Sequence, residues 1–220
     1  MKPDDIKAII RVGLAGIPSV GGVLAQAWSE WDNREKQKRI EAAINLFGQK
    51  IASHVPPIDP HNVTSSQMQF LVETIKRVED EIRENKRQRF VSLLGSFWNG
   101  EIPNYELAAE MLTAVERLSD THLHILVFLL SHNDYPSFNE VADALFPAGP
   151  SEEEKSSVLC ALNMLAADFA FIRRSWTLGQ RGTGSVFRTT NFSAEGIARN
   201  CYHEITDKGK SFLRWIEAPS

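Results

Sequence analysis

The segment from Leu71 to Gly100 constrains the fold of this chain most strongly. Its apolar residues begin at alternating intervals of four and three, the period of one face of an α-helix. Charged residues fill the positions between them, as in the run KRVEDEIRENKRQR. The pattern predicts a continuous amphipathic helix whose apolar stripe faces a helical core or a self-association seam. The stripe consists of Leu71, Ile75, Val78, Ile82, Phe90, Leu93, Leu94, Phe97 and Trp98.

Helix signals also flank this segment. The run HVPPIDPH ends a preceding long helix, because proline lacks the N–H that a helix interior needs and pushes the residue before it towards extended geometry. Thr64, Ser65 and Ser66 offer N-caps for the periodic segment, and Asn104 can cap the helix after it. We therefore expect residues 1–117 to form an antiparallel helical bundle.

The pattern changes after Leu118. Ser137 with Glu140, and Ser151 with Glu154, have the spacing of capping boxes and predict helix starts. The runs FAFIRRSWTL and SVFRTTNF suit a β-ribbon around the glycine-rich turn GQRGTG, and CYHEIT suits a closing strand before a helix. We therefore expect a winged-helix-like domain over residues 118–220. The predicted fold class is mainly α with a small β wing, an α+β arrangement.

The stretch GLAGIPSVGGVLAQAW, residues 13–28, has no charged side chain. A signal peptide is disfavoured, because Asp4 and Asp5 stand where a positive region belongs and glycines with Pro18 interrupt the apolar run. A soluble helical hairpin, with its glycines at a close crossing, is favoured over a membrane span. A conditional version stays open, in which the hairpin inserts into a membrane on activation. The candidate membrane or partner contacts are Ile17, Val20, Leu24, Trp28 and Trp31.

Composition excludes several other classes. The formal charge of −4 over 220 residues gives no global attraction to nucleic acid or anionic lipid, so any such binding needs a local patch. Cys160 and Cys201 are far apart and predict buried thiols in a reducing compartment, consistent with a cytoplasmic location. The basic residues between Arg34 and Arg39 alternate with acids, which predicts a solvated face laced with salt bridges.

The predicted wing carries a local excess of arginine. Phosphate contacts are therefore an alternative function for this region, since arginine binds the backbone of nucleic acids whatever their sequence. The candidate recognition helix, however, begins with Glu152, Glu153 and Glu154, which repel phosphate. The candidate phosphate contacts are Arg173, Arg174, Arg181 and Arg188.

Catalytic and cofactor motifs are not found. LGQRGTGS lacks the Lys-Ser/Thr pair and the following helix of a phosphate-binding loop. His122 and His124 are two residues apart and so point to different helix faces. No spacing matches a zinc site or a nucleophile elbow, so we expect a non-enzyme with no cofactor, no metal and no small-molecule substrate.

Three segments carry a resemblance to known families. YHEITDKGKSFLRWI is similar to the closing signature of bacterial winged-helix domains. The segments GIPSVGGVLAQAWSEWDNREKQKRIEAAINLFGQKI and ENKRQRFVSLLGSFWNG, with Leu118, Ser119, His122, Ile125 and Leu126, resemble bacterial abortive-infection proteins of the Abi-alpha kind. This resemblance implies a phage-defence or toxicity context and supplies no catalytic residues. The expected function is a non-enzymatic effector with a protein partner or self-association; the alternative is a winged-helix transcriptional regulator that binds DNA and dimerises through its bundle.

Overall fold

The computed structural model describes residues 34–52, 63–132, 135–176 and 201–216. These residues form a mainly helical structure with a small two-stranded antiparallel sheet, as predicted at the level of fold class. The chain divides into two compact units, and the boundary falls between Arg117 and Leu118; Trp215 and Ile216 group with the first unit. The elements in chain order are α1 (Arg34–Ala52), α2 (Ser65–Asp80), α3 (Glu84–Trp98), α4 (Tyr105–Arg117), α5 (Asp120–Ser131), α6 (Phe138–Leu145), α7 (Glu152–Ala167), β1 (Ile172–Trp176), β2 (Cys201–Ile205) and α8 (Asp207–Trp215).

The central element of the first unit is α3. It packs against α1, α2 and α4, and every residue from Phe90 to Trp98 is buried. Aromatic pairs join it to its neighbours: the Phe47 and Trp98 ring centroids lie 5.2 Å apart and those of Phe70 and Phe97 lie 4.8 Å apart, both edge to face. A helix enclosed by three others needs apolar or small residues around its whole circumference, which explains the sequence FVSLLGSFW.

The prediction of one continuous helix from Leu71 to Gly100 is wrong. The helix stops at Asp80 and restarts at Glu84, and Glu81 between them has extended backbone with ψ 122°. The Arg87 guanidinium donates to the carbonyls of Glu81 (3.0 Å) and Ile82 (2.6 Å), which satisfies backbone groups that the break releases. Ile82 is 79% exposed, so the break leaves it out of the apolar stripe while α2 and α3 pack on each other.

The caps predicted for the first unit are present. Thr64 forms a capping box with Gln67 at the start of α2, and the Asn104 side chain accepts from the Leu107 N–H at 2.8 Å at the start of α4. Gly100 ends α3 with φ +76°, a conformation that glycine adopts without steric cost. Its N–H donates to Phe97, and the Glu101 N–H donates to Ser96, so two terminal carbonyls are satisfied.

In the second unit, α5 packs against α6, α7 and β2, and α7 packs against β1. Strands β1 and β2 pair antiparallel, with Ile172 opposite Ile205 and Trp176 opposite Cys201. A further isolated bridge joins Ser137, just before α6, to Tyr202. The strand expected over SVFRTTNF, and the turn before it, lie outside the described residues; the observed partner of β1 is the strand predicted as the closing one.

Three predicted helix starts in this unit are confirmed. Ser137 forms its capping box with Glu140 before α6, and Ser151 forms one with Glu154 before α7. Before α8, the Thr206 hydroxyl accepts from the Gly209 N–H at 3.2 Å and donates to the Ala170 carbonyl at 2.9 Å. This threonine therefore caps α8 and also ties it to the segment that leads into β1.

Candidate interaction surface

Helix α7 occupies the position where the sequence analysis placed a recognition helix, and its N-terminus carries three carboxylates. Glu154 accepts from the Ser151 N–H at 2.8 Å, and this backbone hydrogen bond is the main cause of the lowered pKa of Glu154. Glu152 pairs with Lys155 at 2.8 Å, while Glu153 is exposed. The one lysine in the first turns of α7 is thus engaged by a carboxylate, and the surface presented there is acidic.

The outward face of α7 continues from these acids into small side chains. Ser156, Ser157 and Cys160 are exposed, and Asn163 and Met164 are half-buried. The expectation that Cys160 is buried is wrong, because it lies on the face opposite the core residues Val158, Leu159, Ala161, Leu162 and Leu165. The Cys201 side chain lies outside the described residues.

The structure describes two of the four candidate phosphate-contacting arginines. Arg173 donates through Nε to Glu204 Oε2 at 3.1 Å and pairs with the same oxygen through Nη2; this hydrogen bonding raises the pKa of Arg173. Arg174 donates through Nη2 to the Asn163 side-chain oxygen on α7 at 2.6 Å. Both guanidinium groups are therefore held within the unit. Arg181 and Arg188 lie outside the described residues.

The basic run at the start of α1 is engaged inside the first unit, as the salt-bridge interpretation predicted. Lys36 contacts Glu79 and Asp80 at 3.0 Å each, and Lys38 contacts Glu35 at 2.8 Å. Arg39 donates through Nε and Nη2 to the Glu79 carbonyl at 3.0 and 2.8 Å. Lys36 and Arg39 thus lie at the C-terminal end of α2, where the helix dipole favours positive charge.

A cluster of ionisable groups at the α2–α3 junction was missed by sequence reasoning. Lys86 is 5% exposed and donates to the Glu116 carbonyl at the end of α4, and Glu81 Oε2 lies 3.7 Å from its Nζ. Burial lowers the pKa of Lys86. Hydrogen bonds from Arg83 lower the pKa of Glu81 to about 2. The charged sequence around these residues did not predict the burial of Lys86, because that burial depends on the helix break.

The histidines of the second unit have separate environments. His122 Nδ1 lies 2.7 Å from the Ser119 hydroxyl at the start of α5, and burial lowers the pKa of His122. His124 is exposed, so the two occupy different faces as predicted. His203, in β2, is fully buried, and its N–H donates to the Pro136 carbonyl at 3.0 Å. Sequence reasoning assigned no role to His203 or to His132.

The second unit also contains a cavity that the sequence analysis did not predict. Its volume is about 160 Å³, and it lies where the end of α5 meets Tyr135, β2 and α8. The run SHNDYPS, between α5 and α6, contains the histidine and the tyrosine that line the cavity, and it was the signal available in the sequence. The lining residues are Leu129, Leu130, His132, Tyr135, His203, Glu204, Ile205 and Lys210.

The candidate membrane contacts Ile17, Val20, Leu24, Trp28 and Trp31 lie outside the described residues. Among the helices that are described, none has the length and hydropathy needed to cross a bilayer. In the same ranges no group of three or more histidine, cysteine or acidic side chains is arranged to hold a metal ion.

Comparisons of the chain with protein-family models, with curated proteins and with solved structures gave no match.

Proposed function

We propose that this protein is a non-enzymatic interaction protein, an effector of the bacterial phage-defence or toxicity type that works in the cytoplasm. In this proposal the first unit is an antiparallel helical bundle, and the second is a winged-helix-like module that contacts protein. The N-terminal hairpin would become membrane-active when released. The defence context rests on the family resemblance of the sequence, while the mode of action rests on the second unit.

The order of elements in the second unit supports the winged-helix assignment. Helices α5, α6 and α7 are followed by the antiparallel strands β1 and β2 and by α8, and the Ser137–Tyr202 bridge adds a short third edge between the first two helices. This order is compatible with a winged-helix domain, in which the third helix and the connection between the strands form the contact surface. In the proposal, α7 is that third helix.

The carboxylates at the start of α7 are the main observation that favours a protein partner over DNA. A helix that enters the major groove presents its N-terminal residues to the bases between two rows of phosphates. Glu152, Glu153 and Glu154 would place negative charge there, and Lys155 is paired with Glu152. The small side chains that follow on the exposed face suit a flat protein contact, with a partner that presents basic residues around it.

Phage challenge of bacteria that produce the chain tests the effector role. Compared with an empty vector, the full chain is expected to reduce plaque formation, and a chain without residues 1–31 is expected to lose that protection and any accompanying loss of membrane potential. E153R with S156R, on the exposed face of α7, is expected to abolish protection, while E106R on α4 is the matched surface control. Equal plating with and without the chain, for every phage tried, removes the effector proposal.

DNA binding is the second candidate function, because the element order is that of many DNA-binding domains and Arg173 is an exposed cation beside β2. Fluorescence anisotropy with mixed-sequence and genomic duplexes, at several salt concentrations, separates the two. A DNA-binding regulator predicts measurable affinity that falls steeply as salt rises. The protein-contact proposal predicts no binding at physiological salt, with a gain at low salt when Glu152 and Glu153 are changed to Gln. Tight, sequence-selective binding by the unmodified chain would refute the protein-contact proposal.

A further inference from the structure

The cavity of the second unit has the size of a small polar ligand. A cavity that holds one water needs about 10–15 Å³, whereas sites for drug-sized ligands start at about 300 Å³. At about 160 Å³ the cavity lies between these limits. It accommodates a group such as a phosphate with a short substituent.

The charges that line the cavity favour an anion. Among the lining residues that the structure describes, Glu204 carries the one carboxylate, and Arg173 binds it through two guanidinium nitrogens. Lys210 meets Asp207 at 3.7 Å, but that aspartate is fully exposed and the pair is therefore weakly coupled. The lysine charge is thus poorly compensated at the cavity, whereas the glutamate charge is well compensated.

His132 adds a second donor whose position is fixed. Its Nδ1 lies 2.8 Å from the Phe128 carbonyl, and a carbonyl only accepts, so the proton of that hydrogen bond belongs to Nδ1. The ring also packs on Phe128, with centroids 3.9 Å apart. The remaining nitrogen, Nε2, is therefore the ring atom through which His132 can bind an anion.

We propose that this cavity binds a small phosphate-bearing anion, with Lys210, His132 and the Tyr135 hydroxyl as its donors. Separate donors on three segments suit the tetrahedral arrangement of phosphate oxygens, whereas a planar carboxylate is better matched by the fork of an arginine. The cavity is lined from α5, β2 and α8, so the ligand would join three elements of the second unit. This site is a ligand site beyond the proposed protein contact, and it does not depend on that contact.

Titration of the full chain with inorganic phosphate tests the proposal, by calorimetry and by NMR of the histidine ring protons at constant ionic strength. We expect saturable binding that shifts the His132 ring signal, which H132N assigns. K210Q is expected to weaken binding about tenfold, the loss of one charge-assisted contact. K155Q is the matched control, because Lys155 also pairs with an acid three residues away on an exposed helix start but lies away from the cavity. It should bind phosphate like the unmodified chain.

Several outcomes would overturn the site. One is a failure of phosphate to saturate in the millimolar range. Another is an equal weakening of binding by K210Q and K155Q, which is the behaviour of unspecific surface cations. An acidic peptide that binds and shifts His132 while phosphate does not would assign the cavity to a protein partner instead. Thermal unfolding of each variant without ligand shows that it is folded, and if K210Q does not fold, Y135F and H132N are used in its place with the same expected weakening.

Discussion

Gly209 on α8 lies against the carbonyl of Phe171: a Cβ built on this glycine would stand 2.4 Å from that oxygen. The oxygen belongs to backbone, and it already accepts from the Thr206 N–H at 2.9 Å, so it has little freedom to move away. The Phe171 ring also stacks on Phe212 of α8, with centroids 4.5 Å apart, so a second contact joins the same two segments. The close approach of α8 to the segment before β1 therefore requires a residue without a side chain.

Gly209→Ala is expected to destabilise the protein by about 1–3 kcal/mol, the usual cost of forcing extra volume into a packed site. The sign of this stability change is informative, because alanine in a helix is ordinarily favoured over glycine by about 1 kcal/mol. Gly95→Ala in α3 is the control: among the residues that the structure describes, its Cβ would meet only the Lys50 side chain, at 3.5 Å. Urea unfolding should show a loss for the first and no loss for the second; equal effects would contradict the backbone contact.

Arg39→Gln is expected to cost about 1–2 kcal/mol of stability. The guanidinium donates twice to the Glu79 carbonyl, and its removal leaves a partly buried acceptor at the end of α2 unsatisfied. Lys38→Gln removes an equal charge from the same helix, but Lys38 contacts only Glu35 in the described contacts and is 69% exposed, so its change should have little effect on stability. If the Lys38 variant is as unstable as the Arg39 variant, the loss of stability comes from the change in net charge and not from the hydrogen bonds to the Glu79 carbonyl.

The pH dependence of stability should contain a term from Glu81. Hydrogen bonds from Arg83 lower the pKa of this carboxyl from 4.5 to about 2, so its stabilising contribution is complete above pH 4.5 and is lost as the pH falls from 4.5 to about 2. Glu81→Gln should therefore differ from the unmodified chain at neutral pH, by about 1 kcal/mol after allowance for the exposed Arg83, and the difference should shrink through that window. A difference that is constant with pH would contradict the assignment.

One tyrosine should ionise late. Burial, and the hydrogen bond that the Tyr105 hydroxyl donates to Glu73 Oε1 at 2.5 Å, raise the pKa of Tyr105 to about 12. An ultraviolet titration of phenolate formation should therefore show a step near pH 12 that is missing in Tyr105→Phe. Stability from this contact is present below pH 10.0 and is lost as the pH rises towards 12, because the unfolded chain ionises first. If the late step persists in Tyr105→Phe, another tyrosine produces it.

The helix starts were predictable from sequence because a cap is a local event. Ser137, Ser151 and Asn104 each act on a backbone N–H three residues away, so their spacing contains the whole interaction. The helix break at Glu81 to Arg83 was not predictable in this way. The apolar period continues across the break. Whether the chain forms one helix or two depends on the burial of α2 and α3 against each other and against α1.

The surfaces of the second unit depended on contacts between distant positions. The arginine excess near β1 was visible in the sequence, but the partners that engage it, Glu204 and Asn163, are set by strand register and by the packing of α7. The cavity needs residues from α5, β2 and α8 at once. Periodicity and motif spacing describe one helix or strand at a time. They therefore indicate which residue types are available, but not which residues come together to form such a site.

The enclosure of α3 by three helices has a consequence for motion. Amide protons between Phe90 and Trp98 are shielded from water by neighbours on every side and exchange with solvent only when the surrounding helices separate. Their exchange rates therefore measure the opening of the whole first unit, while the exposed turn around Ile82 exchanges through small local fluctuations. Deuterium uptake along this one stretch would rank α3 as the slowest part of its unit, the last element to lose its structure when the protein unfolds.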